Sequence, residues 1–155
     1  MDDRVPGAAC GGRLSYLIFQ LARAHRAHAG ELLRGLGLHP GQELLLMHLY
    51  DRDEQTQSEL LGAVCLDHST VSKALRRMEE AGLVTRRPAE RDRRVLVVSL
   101  TAKGRALREP IGRMWARLEE VTAGGLDAAQ IGTFAGLART ITRSIDDRDT
   151  TEESG

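Results

Sequence analysis

The sequence predicts a mainly helical fold with one small β-hairpin near its centre. Through most of the 155 residues, apolar side chains recur at steps of three and four, which is the spacing of a helix buried along one side. Between residues 83 and 100 the pattern changes to two short runs rich in Val and Leu, separated by the polar stretch AERD. This second pattern is typical of two strands joined by a tip.

The N-terminal third is predicted to hold two helices. The chain turns near Gly35 and Gly37 after the first helix, and Pro40 suits the first turn of the second, where its missing N–H costs no hydrogen bond. Leu and Met crowd residues 44–49, so the second helix is expected to be buried on most sides. The stripe of the first helix comprises Leu14, Leu17, Ile18, Leu21, His25, His28 and Leu32.

A helix-turn-helix is predicted next. Ser58 is a good N-cap for a short helix through ELLGAVC, because its hydroxyl accepts a hydrogen bond from an unpaired backbone N–H. The stretch LDHST forms the turn, and a further helix is expected from about Ser69 to Ala81. Gly82 then takes the left-handed position that ends a helix. The narrow apolar stripe of this helix comprises Val71, Leu75 and Met78.

Two more helices are predicted after the hairpin. Thr101 opens a long helix in which Pro110 predicts a kink, and Asp127 with Gln130 resembles a capping box at the start of the last helix. The apolar stripes of the first and last helices exceed what the middle of the chain can cover. We therefore expect a second copy of the chain to bury them in a twofold homodimer. The stripe of the last helix comprises Ile131, Phe134, Leu137, Ile141 and Ile145.

Positive charge is concentrated in one segment although the whole chain is neutral. The 22 Lys and Arg residues equal the 22 Asp and Glu residues, yet residues 69–94 hold eight basic and four acidic side chains. The last ten residues, from Asp146, hold five acids and one base and are expected to be solvated. A local basic surface predicts a polyanionic partner, which the whole-chain charge conceals.

The basic segment coincides with the helix-turn-helix and the hairpin, which together predict a winged helix-turn-helix that binds double-stranded DNA. In this arrangement the second helix enters the major groove with its N-terminal residues against the base edges. Small hydroxyl side chains let that helix approach closely, and they can donate to or accept from bases and phosphates. The expected contacts are Asp67, His68, Ser69, Thr70, Ser72, Lys73, Arg76 and Arg77.

The hairpin, or wing, is expected to lie along the minor groove, whose concentrated negative potential attracts arginine. Asp92 is repelled by phosphate, so we expect it to position Arg94 through a charge-assisted hydrogen bond. The wing residues in the predicted interface are Arg86, Arg87, Arg91, Asp92, Arg93 and Arg94. The alternative interpretation is that the arginine-rich helix and hairpin are only a solvated surface.

Other function classes lack their sequence features. The chain has no nucleophile elbow, phosphate-binding glycine loop, HExxH motif or pair of catalytic carboxylates, so we predict no catalytic residue, no enzyme activity and no cofactor. His25 and His28 have zinc-ligand spacing, as do Cys65 and His68, but four clustered ligands are not evident and no metal site is predicted. Cys10 and Cys65 are expected to be reduced. With no apolar run of ~20 residues, we predict a cytoplasmic chain without membrane contact.

The middle of the chain resembles a known family. The stretch SELLGAVCLDHSTVSKALRRMEEAGLVTRRPAERDRRVLVVSLTAKG is similar to the MarR family in its recognition helix ending in G-L-V, its D-x-R wing tip at Asp92 and Arg94, and its closing L-T-x-x-G. The resemblance covers residues 12–145. It implies a homodimer on a pseudopalindromic operator, in most members a repressor, in many released by a small phenolic or other acidic effector. The alternatives are an effector-independent DNA-binding protein and a metal- or redox-responsive regulator.

The resemblance also implies a division of the chain. Residues 1–11 form a flexible lead-in, residues 12–145 the winged-helix domain, and residues 146–155 an acidic flexible tail. Within the domain, the DNA-binding part spans about residues 40–100. The dimerisation helices span about residues 12–34 and 101–145.

An effector cleft is expected where the first, second and kinked long helices meet. Its expected lining is mostly apolar with a few polar groups and comprises Ser15, Phe19, His28, Met47 and Trp115. The alternative interpretation is that these side chains are core. Family members that sense peroxides carry a reactive cysteine early in the first helix, where this chain has Ser15, so that route is not expected.

Overall fold

The computed structural model describes residues 5–64 and 66–152, and it confirms a mainly helical fold with a small β wing. The chain divides into two compact units, Met1–Leu118 and Glu119–Gly155. A 3-10 helix, Gly7–Gly12, precedes the first α-helix. The α-helices are α1 (Arg13–Gly35), α2 (Gln42–Asp51), α3 (Gln57–Ala63), α4 (His68–Glu80), α5 (Ala102–Ala106), α6 (Arg108–Ala123) and α7 (Ala128–Glu152). The strands β1 (Gln55–Thr56), β2 (Val84–Pro88) and β3 (Leu96–Leu100) form one antiparallel sheet in the order β1-β3-β2.

An aliphatic core in the first unit holds α4 against α2, α3 and the sheet. The predicted stripe of α4 is confirmed, since Val71, Leu75 and Met78 are at most 1% exposed. Burying one such side chain stabilises a fold by about 1.5–3 kcal/mol, so the core fixes which face of α4 remains in solvent. The core also contains Leu33, Leu38, Leu45, Leu46, Leu49, Leu60, Val64, Leu83, Val84, Val98, Leu100, Ile111 and Met114.

The helix caps confirm one sequence prediction and correct another. Asp127 and Gln130 form the predicted capping box, with reciprocal backbone-to-side-chain hydrogen bonds of 2.8 and 2.9 Å. The predicted cap of α3 at Ser58 is wrong, because Ser58 already lies inside the helix. Thr56 caps α3 instead: its hydroxyl accepts from the Glu59 amide at 3.1 Å, and the Glu59 carboxylate accepts from the Thr56 amide at 2.7 Å. That amide, with Arg52 and the Thr56 hydroxyl, lowers the pKa of Glu59 to about 2.

Glycines with positive φ form the turns before α2 and after α4. Gly82 adopts φ +70° directly after Ala81, the C-cap of α4, as predicted. Gly41, at φ +93°, is the N-cap of α2. Pro40 therefore lies in the turn before α2, and its predicted place in the first helical turn is wrong.

The long helix after the hairpin is broken at Leu107, where the sequence predicted one continuous helix kinked at Pro110. α5 ends at Ala106 and α6 begins at Arg108. Pro110 consequently lies in the first turn of α6, where its missing N–H costs no intrahelical bond. A proline ring clashes with helical backbone four residues earlier, which accounts for the end of α5 at Ala106.

The sheet contains a third strand that periodicity did not predict. β1 has two residues, of which Gln55 pairs with Val98 of β3. Asp53, just before β1, accepts hydrogen bonds from the Leu100 amide at 2.9 Å and from the Arg105 guanidinium at 2.5 Å. This carboxylate therefore fixes the end of α2 to the base of the wing.

Apolar side chains of α1 and α7 are exposed in the single chain. On α7, Phe134 is 54% exposed and Leu137 58% exposed. The exposed apolar side chains of α1 are Leu14, Leu17, Ile18, Phe19 and Leu21. Residues 146–152 continue α7. Among the described helices, none combines the length and apolar character needed to cross a membrane.

Candidate nucleic-acid interface

The start of α4 is organised by Asp67, the N-cap residue. Its carboxylate accepts hydrogen bonds from the Thr70 amide at 2.9 Å, the Ser69 hydroxyl at 2.7 Å and the Thr70 hydroxyl at 2.5 Å. The bonds from Thr70 and Ser69 hold the pKa of this carboxyl well below its usual range. Asp67 therefore caps α4 as an ionised hydrogen-bond acceptor.

The solvent-facing side of α4 carries the predicted DNA-contacting residues. Ser69, Lys73, Arg76 and Arg77 are exposed, because the buried stripe occupies the opposite face. Arg76 lies 3.7 Å from Glu80, and both side chains are more than 60% exposed. Such a surface pair contributes less than about 1 kcal/mol and leaves Arg76 able to change partner. The turn residues Asp67 and His68 are exposed as well, and Thr70 and Ser72 are half-buried.

The wing tip extends from the end of β2 to the start of β3. Its backbone is closed by two hydrogen bonds, from the Ala89 amide to the Val95 carbonyl at 2.8 Å and from the Val95 amide to the Asp92 carbonyl at 3.0 Å. Asp92 Oδ1 accepts from the backbone amide of Arg94 at 2.9 Å. The prediction that Asp92 holds the Arg94 guanidinium is therefore corrected: Asp92 shapes the backbone of the tip. The exposed side chains of this tip include Arg91, Arg93 and Arg94.

Two of the predicted wing contacts are engaged in ion pairs within the chain. Arg86 donates to Glu79 of α4 through Nε at 2.9 Å and Nη2 at 2.6 Å, and its side chain is only 18% exposed. Arg87 pairs with Glu54 at 2.7 Å in a more exposed position. Both side-chain nitrogens of Arg86 donate to Glu79 Oε2, while Oε1 accepts from the Arg86 backbone amide at 3.1 Å. These charge-assisted bonds fix the wing base against α4 and give Arg86 a structural role. No local spacing in the sequence links Glu79 to Arg86 across the turn at Gly82.

The wing and α4 contribute to one continuous surface. Arg94 and His68 line the same cavity of about 200 Å³, together with Gln57 and Ser58 at the start of α3. Among the described residues, no carboxylate oxygen lies within 4.0 Å of the charged groups of Arg91, Arg93 or Arg94. The surface that α4 and the wing present is therefore basic and suited to phosphate contacts.

A second cavity, of about 270 Å³, lies between α2 and α6. It brings together two of the five predicted effector residues, Met47 and Trp115. Ser15, Phe19 and His28 do not line it; Phe19 is 59% exposed on α1, and His28 Nδ1 lies 3.8 Å from Glu31. The other residues that line the cavity are Tyr50, Asp51, Arg108, Ile111 and Gly112.

Three polar residues of this cavity were missed by the sequence prediction: Tyr50, Asp51 and Arg108. Tyr50 donates to the Gly104 carbonyl at 2.8 Å, and the Arg108 guanidinium lies 5.8 Å from the centre of the Tyr50 ring. Burial raises the pKa of Tyr50, and the charge of Arg108 acts in the opposite direction. Trp115 Nε1 is buried and has no acceptor within hydrogen-bond distance among the described residues. The cavity thus combines an apolar lining with the Arg108 cation and the Asp51 carboxylate.

The candidate metal and redox residues from the sequence are Cys10, Cys65, His25, His28 and His68. Within the part of the chain that the structure describes, no three His, Cys, Asp or Glu side chains are grouped so that they could hold a metal ion. Cys10 is exposed in the 3-10 helix before α1. Cys65 lies outside the described residues.

Comparison with known proteins agrees with this architecture. The model of the MarR family matches residues 38–96. The organic hydroperoxide resistance transcriptional regulator of Bacillus subtilis is 29% identical over 109 residues, which are 70% of this chain and 74% of that protein. The uncharacterized HTH-type transcriptional regulator YwoH of Bacillus subtilis is 34% identical over 107 residues, which are 69% of this chain and 77% of that protein.

A solved structure extends the comparison to the fold. A mutant MarR from E. coli complexed with operator DNA superposes with a TM-score of 0.80 at 22% identity, covering 88% of this chain and 99% of that one. The family model matches the region from α2 to the start of the last strand, which contains α4 and the wing tip. Sequence relatives and fold agree, and the chain belongs to the MarR family of winged helix-turn-helix transcriptional regulators.

Proposed function

We propose that the chain is a homodimeric repressor that binds a pseudopalindromic DNA operator and is released from it by a small acidic molecule. The observation that carries the DNA-binding part is the basic surface shared by α4 and the wing. Its cations project from rigid elements, since the core and the Arg86–Glu79 pair hold α4 and the wing together. The matched MarR structure contains operator DNA, which supports the same use of α4 here.

In the proposed complex, α4 enters the major groove and the wing tip follows the adjacent minor groove. Ser69, Thr70 and Ser72 face base edges, while Lys73, Arg76 and Arg77 contact phosphates. Arg91, Arg93 and Arg94 are the wing residues that contact DNA. Arg86 instead holds the base of the wing against α4. This assignment gives the recognition helix both base and phosphate contacts and gives the wing tip further electrostatic contacts.

The dimer follows from the exposed apolar faces of α1 and α7. Full burial of an exposed side chain of this size contributes about 1.5–3 kcal/mol, and more than half of the Phe134 and Leu137 side chains is still in water. A twofold interface would bury each of them twice, and it would present two copies of α4 to the two half-sites of an operator. We therefore assign residues 12–34 and 101–145 to dimerisation, as the sequence predicted.

The proposed effector site is the cavity between α2 and α6. Arg108 supplies a positive charge for a carboxylate, and Met47, Ile111 and Trp115 supply apolar surface. Asp51 also lines the cavity, so an acid would bind with its carboxylate toward Arg108 and away from Asp51. A planar acid fits this combination. Such an effector lowers operator affinity tenfold if it binds the released state about 1.4 kcal/mol more tightly than the DNA-bound state.

The hydroperoxide response of one relative is not extended to this chain. That relative is 29% identical, and a cysteine-based response needs a thiol early in α1. This chain has Ser15 there, and Cys10 precedes α1. An effector-independent regulator is the second candidate, and it predicts that no acid releases the operator.

Replacing Arg94 by alanine should weaken operator binding by about 1–3 kcal/mol, because a minor-groove arginine loses both its charge and its hydrogen bonds. Asp92→Ala should have a smaller effect, since it removes the acceptor that shapes the wing tip. The double variant should cost little more than Arg94→Ala alone, because a loosened tip no longer positions Arg94. Fluorescence anisotropy with operator duplex measures all three variants. Glu90→Ala is the control for loss of an acidic side chain from the same tip, and strictly additive losses would contradict the coupling.

Arg108→Gln should raise the acid concentration for half-release of the operator about tenfold or more, because the variant loses the charge that recognises the carboxylate. Binding to DNA without effector should be unchanged. Arg113→Gln is the matched control: it removes an arginine from the same helix that lies outside the cavity and pairs with Glu109 at 3.3 Å. Titration of benzoic and hydroxybenzoic acids against a preformed complex provides the measurement. If Arg108→Gln and Arg113→Gln release the operator at the same acid concentration, the effector binds elsewhere.

A further inference from the structure

The hydroxyl groups at the start of α4 have a fixed hydrogen-bond direction. Ser69 and Thr70 both donate their single hydroxyl hydrogen to the Asp67 carboxylate, at 2.7 and 2.5 Å. An ionised carboxylate has no hydrogen to give, so neither bond can run the other way. The low pKa of Asp67 keeps the carboxylate in that form throughout the neutral range.

This direction limits what the two hydroxyls can contact on DNA. A hydroxyl has one hydrogen and two lone pairs, and here only lone pairs remain for an outside partner. Phosphate oxygens, keto oxygens and purine N7 are all acceptors, so they cannot form a hydrogen bond with the lone pairs of these hydroxyls. In the major groove the donors are the amino groups of adenine N6 and cytosine N4.

Thr70 lies on the side of α4 that the proposed complex turns toward DNA. Its side chain lines a cavity of about 200 Å³ together with Lys73 and Arg77, the cations assigned to phosphates. Ser69 beside it is exposed. A base edge that reaches this end of α4 therefore meets two oxygens whose hydrogens point away toward Asp67.

We propose that Asp67 is a specificity-determining positioning residue that holds the Thr70 hydroxyl as an acceptor, so that α4 selects adenine or cytosine over guanine or thymine at the base that Thr70 faces. The proposal rests on the proposed entry of α4 into the major groove. Asp67 itself does not contact DNA; it acts through the hydroxyl of Thr70.

Asp67→Asn separates this role from capping. Asparagine is as good an N-cap as aspartate, and its Oδ1 can keep the bonds from the Thr70 amide and the Ser69 hydroxyl. The amide nitrogen then replaces Oδ2, and it must donate to the Thr70 oxygen. The Thr70 hydrogen is released and can donate to guanine or thymine, while Ser69 is unchanged.

The experiment selects operator duplexes from a randomised pool with the full-length protein and sequences them. Wild type should show one position per half-site where adenine or cytosine exceeds guanine or thymine roughly threefold to tenfold, the value of one net hydrogen bond. In Asp67→Asn that ratio should fall to near one, with the other positions unchanged. Thr70→Val should give the same loss, and adding Asp67→Asn to Thr70→Val should change the ratio no further.

The controls separate the proposal from simpler effects. Glu90→Gln also removes one negative charge, and it should alter affinity for all sequences alike without changing the ratio. If wild type selects a motif and Asp67→Asn or Thr70→Val selects the same motif, the proposal is overturned. If thermal unfolding shows that Asp67→Asn is not folded, the Thr70→Val variant decides alone. Loss of the base ratio in Thr70→Val supports the proposal, and an unchanged ratio overturns it. If wild type selects no motif, the proposed operator binding itself fails.

Discussion

Replacing Phe134 and Leu137 together by glutamate is expected to convert the dimer to a monomer and to lower operator affinity by about 10²–10⁴-fold. Both side chains are more than half exposed on α7 in the single chain and are assigned to the interface. In a twofold dimer each substitution occurs twice, so four carboxylates would enter an apolar contact. A monomer contacts only one half-site, so it loses the affinity that is gained when two linked copies of α4 bind two half-sites. Analytical ultracentrifugation and anisotropy on the same samples measure both effects.

Arg143→Glu is the matched control for this pair, because helical spacing places residue 143 on the side of α7 opposite residue 134. It introduces the same carboxylate on the same helix and should leave the dimer intact. Circular dichroism of both variants should show the helical content of wild type. A Phe134→Glu, Leu137→Glu variant that sediments as a dimer and binds operator normally would place the interface elsewhere.

Gly104→Ala is expected to destabilise the fold by about 3 kcal/mol or more. A Cβ at Gly104 would overlap the backbone carbonyl oxygen of Leu83. That oxygen cannot move away cheaply, because it accepts from the Thr101 amide at 3.1 Å and from the Thr101 hydroxyl at 3.0 Å. Gly104 also supplies the carbonyl that holds Tyr50. The overlap therefore strains the junction of α5, α2 and the start of β2 at once, which puts the cost at the upper end for an overpacked core.

Urea unfolding measures this loss, and Gly62→Ala is the control. Gly62 lies in α3 with no atom within 4 Å of an added Cβ, so alanine there should stabilise the fold by about 0.5–1 kcal/mol through its helix propensity. Equal stabilities for Gly104→Ala and wild type would show that α5 does not pack on Leu83 as described.

The sequence predicted the elements whose signals are local and periodic. The stripe of Val71, Leu75 and Met78 identified α4 because three apolar positions at helical spacing suffice to define a buried face. Two residues of β1 give no period, so that strand was missed. The break at Leu107 was misplaced because Pro110 acts on the turn before it, and the first turn of a new helix tolerates proline.

The sequence predicted which residue types form the candidate site, but it predicted the role of each residue less well. Arg86 and Arg94 look alike in the sequence, yet one is paired with Glu79 and the other is exposed at the wing tip. The pairing depends on how β2 returns past α4, which no spacing encodes. Tyr50 and Arg108 meet at the cavity from positions 58 residues apart, so a local pattern could not associate them.

The salt dependence of operator binding tests most directly whether the basic surface of α4 and the wing binds DNA. Each phosphate neutralised contributes about 0.9 to the slope of log affinity against log salt. We expect roughly six to ten phosphate contacts and hence a slope of about −5 to −9. The cations available on each of the two protomers are Lys73, Arg76, Arg77, Arg91, Arg93 and Arg94. Between about 50 and 200 mM salt, affinity for the selected operator should then fall about 10³–10⁵-fold. A slope near −1 in the same titration would contradict DNA binding by this surface.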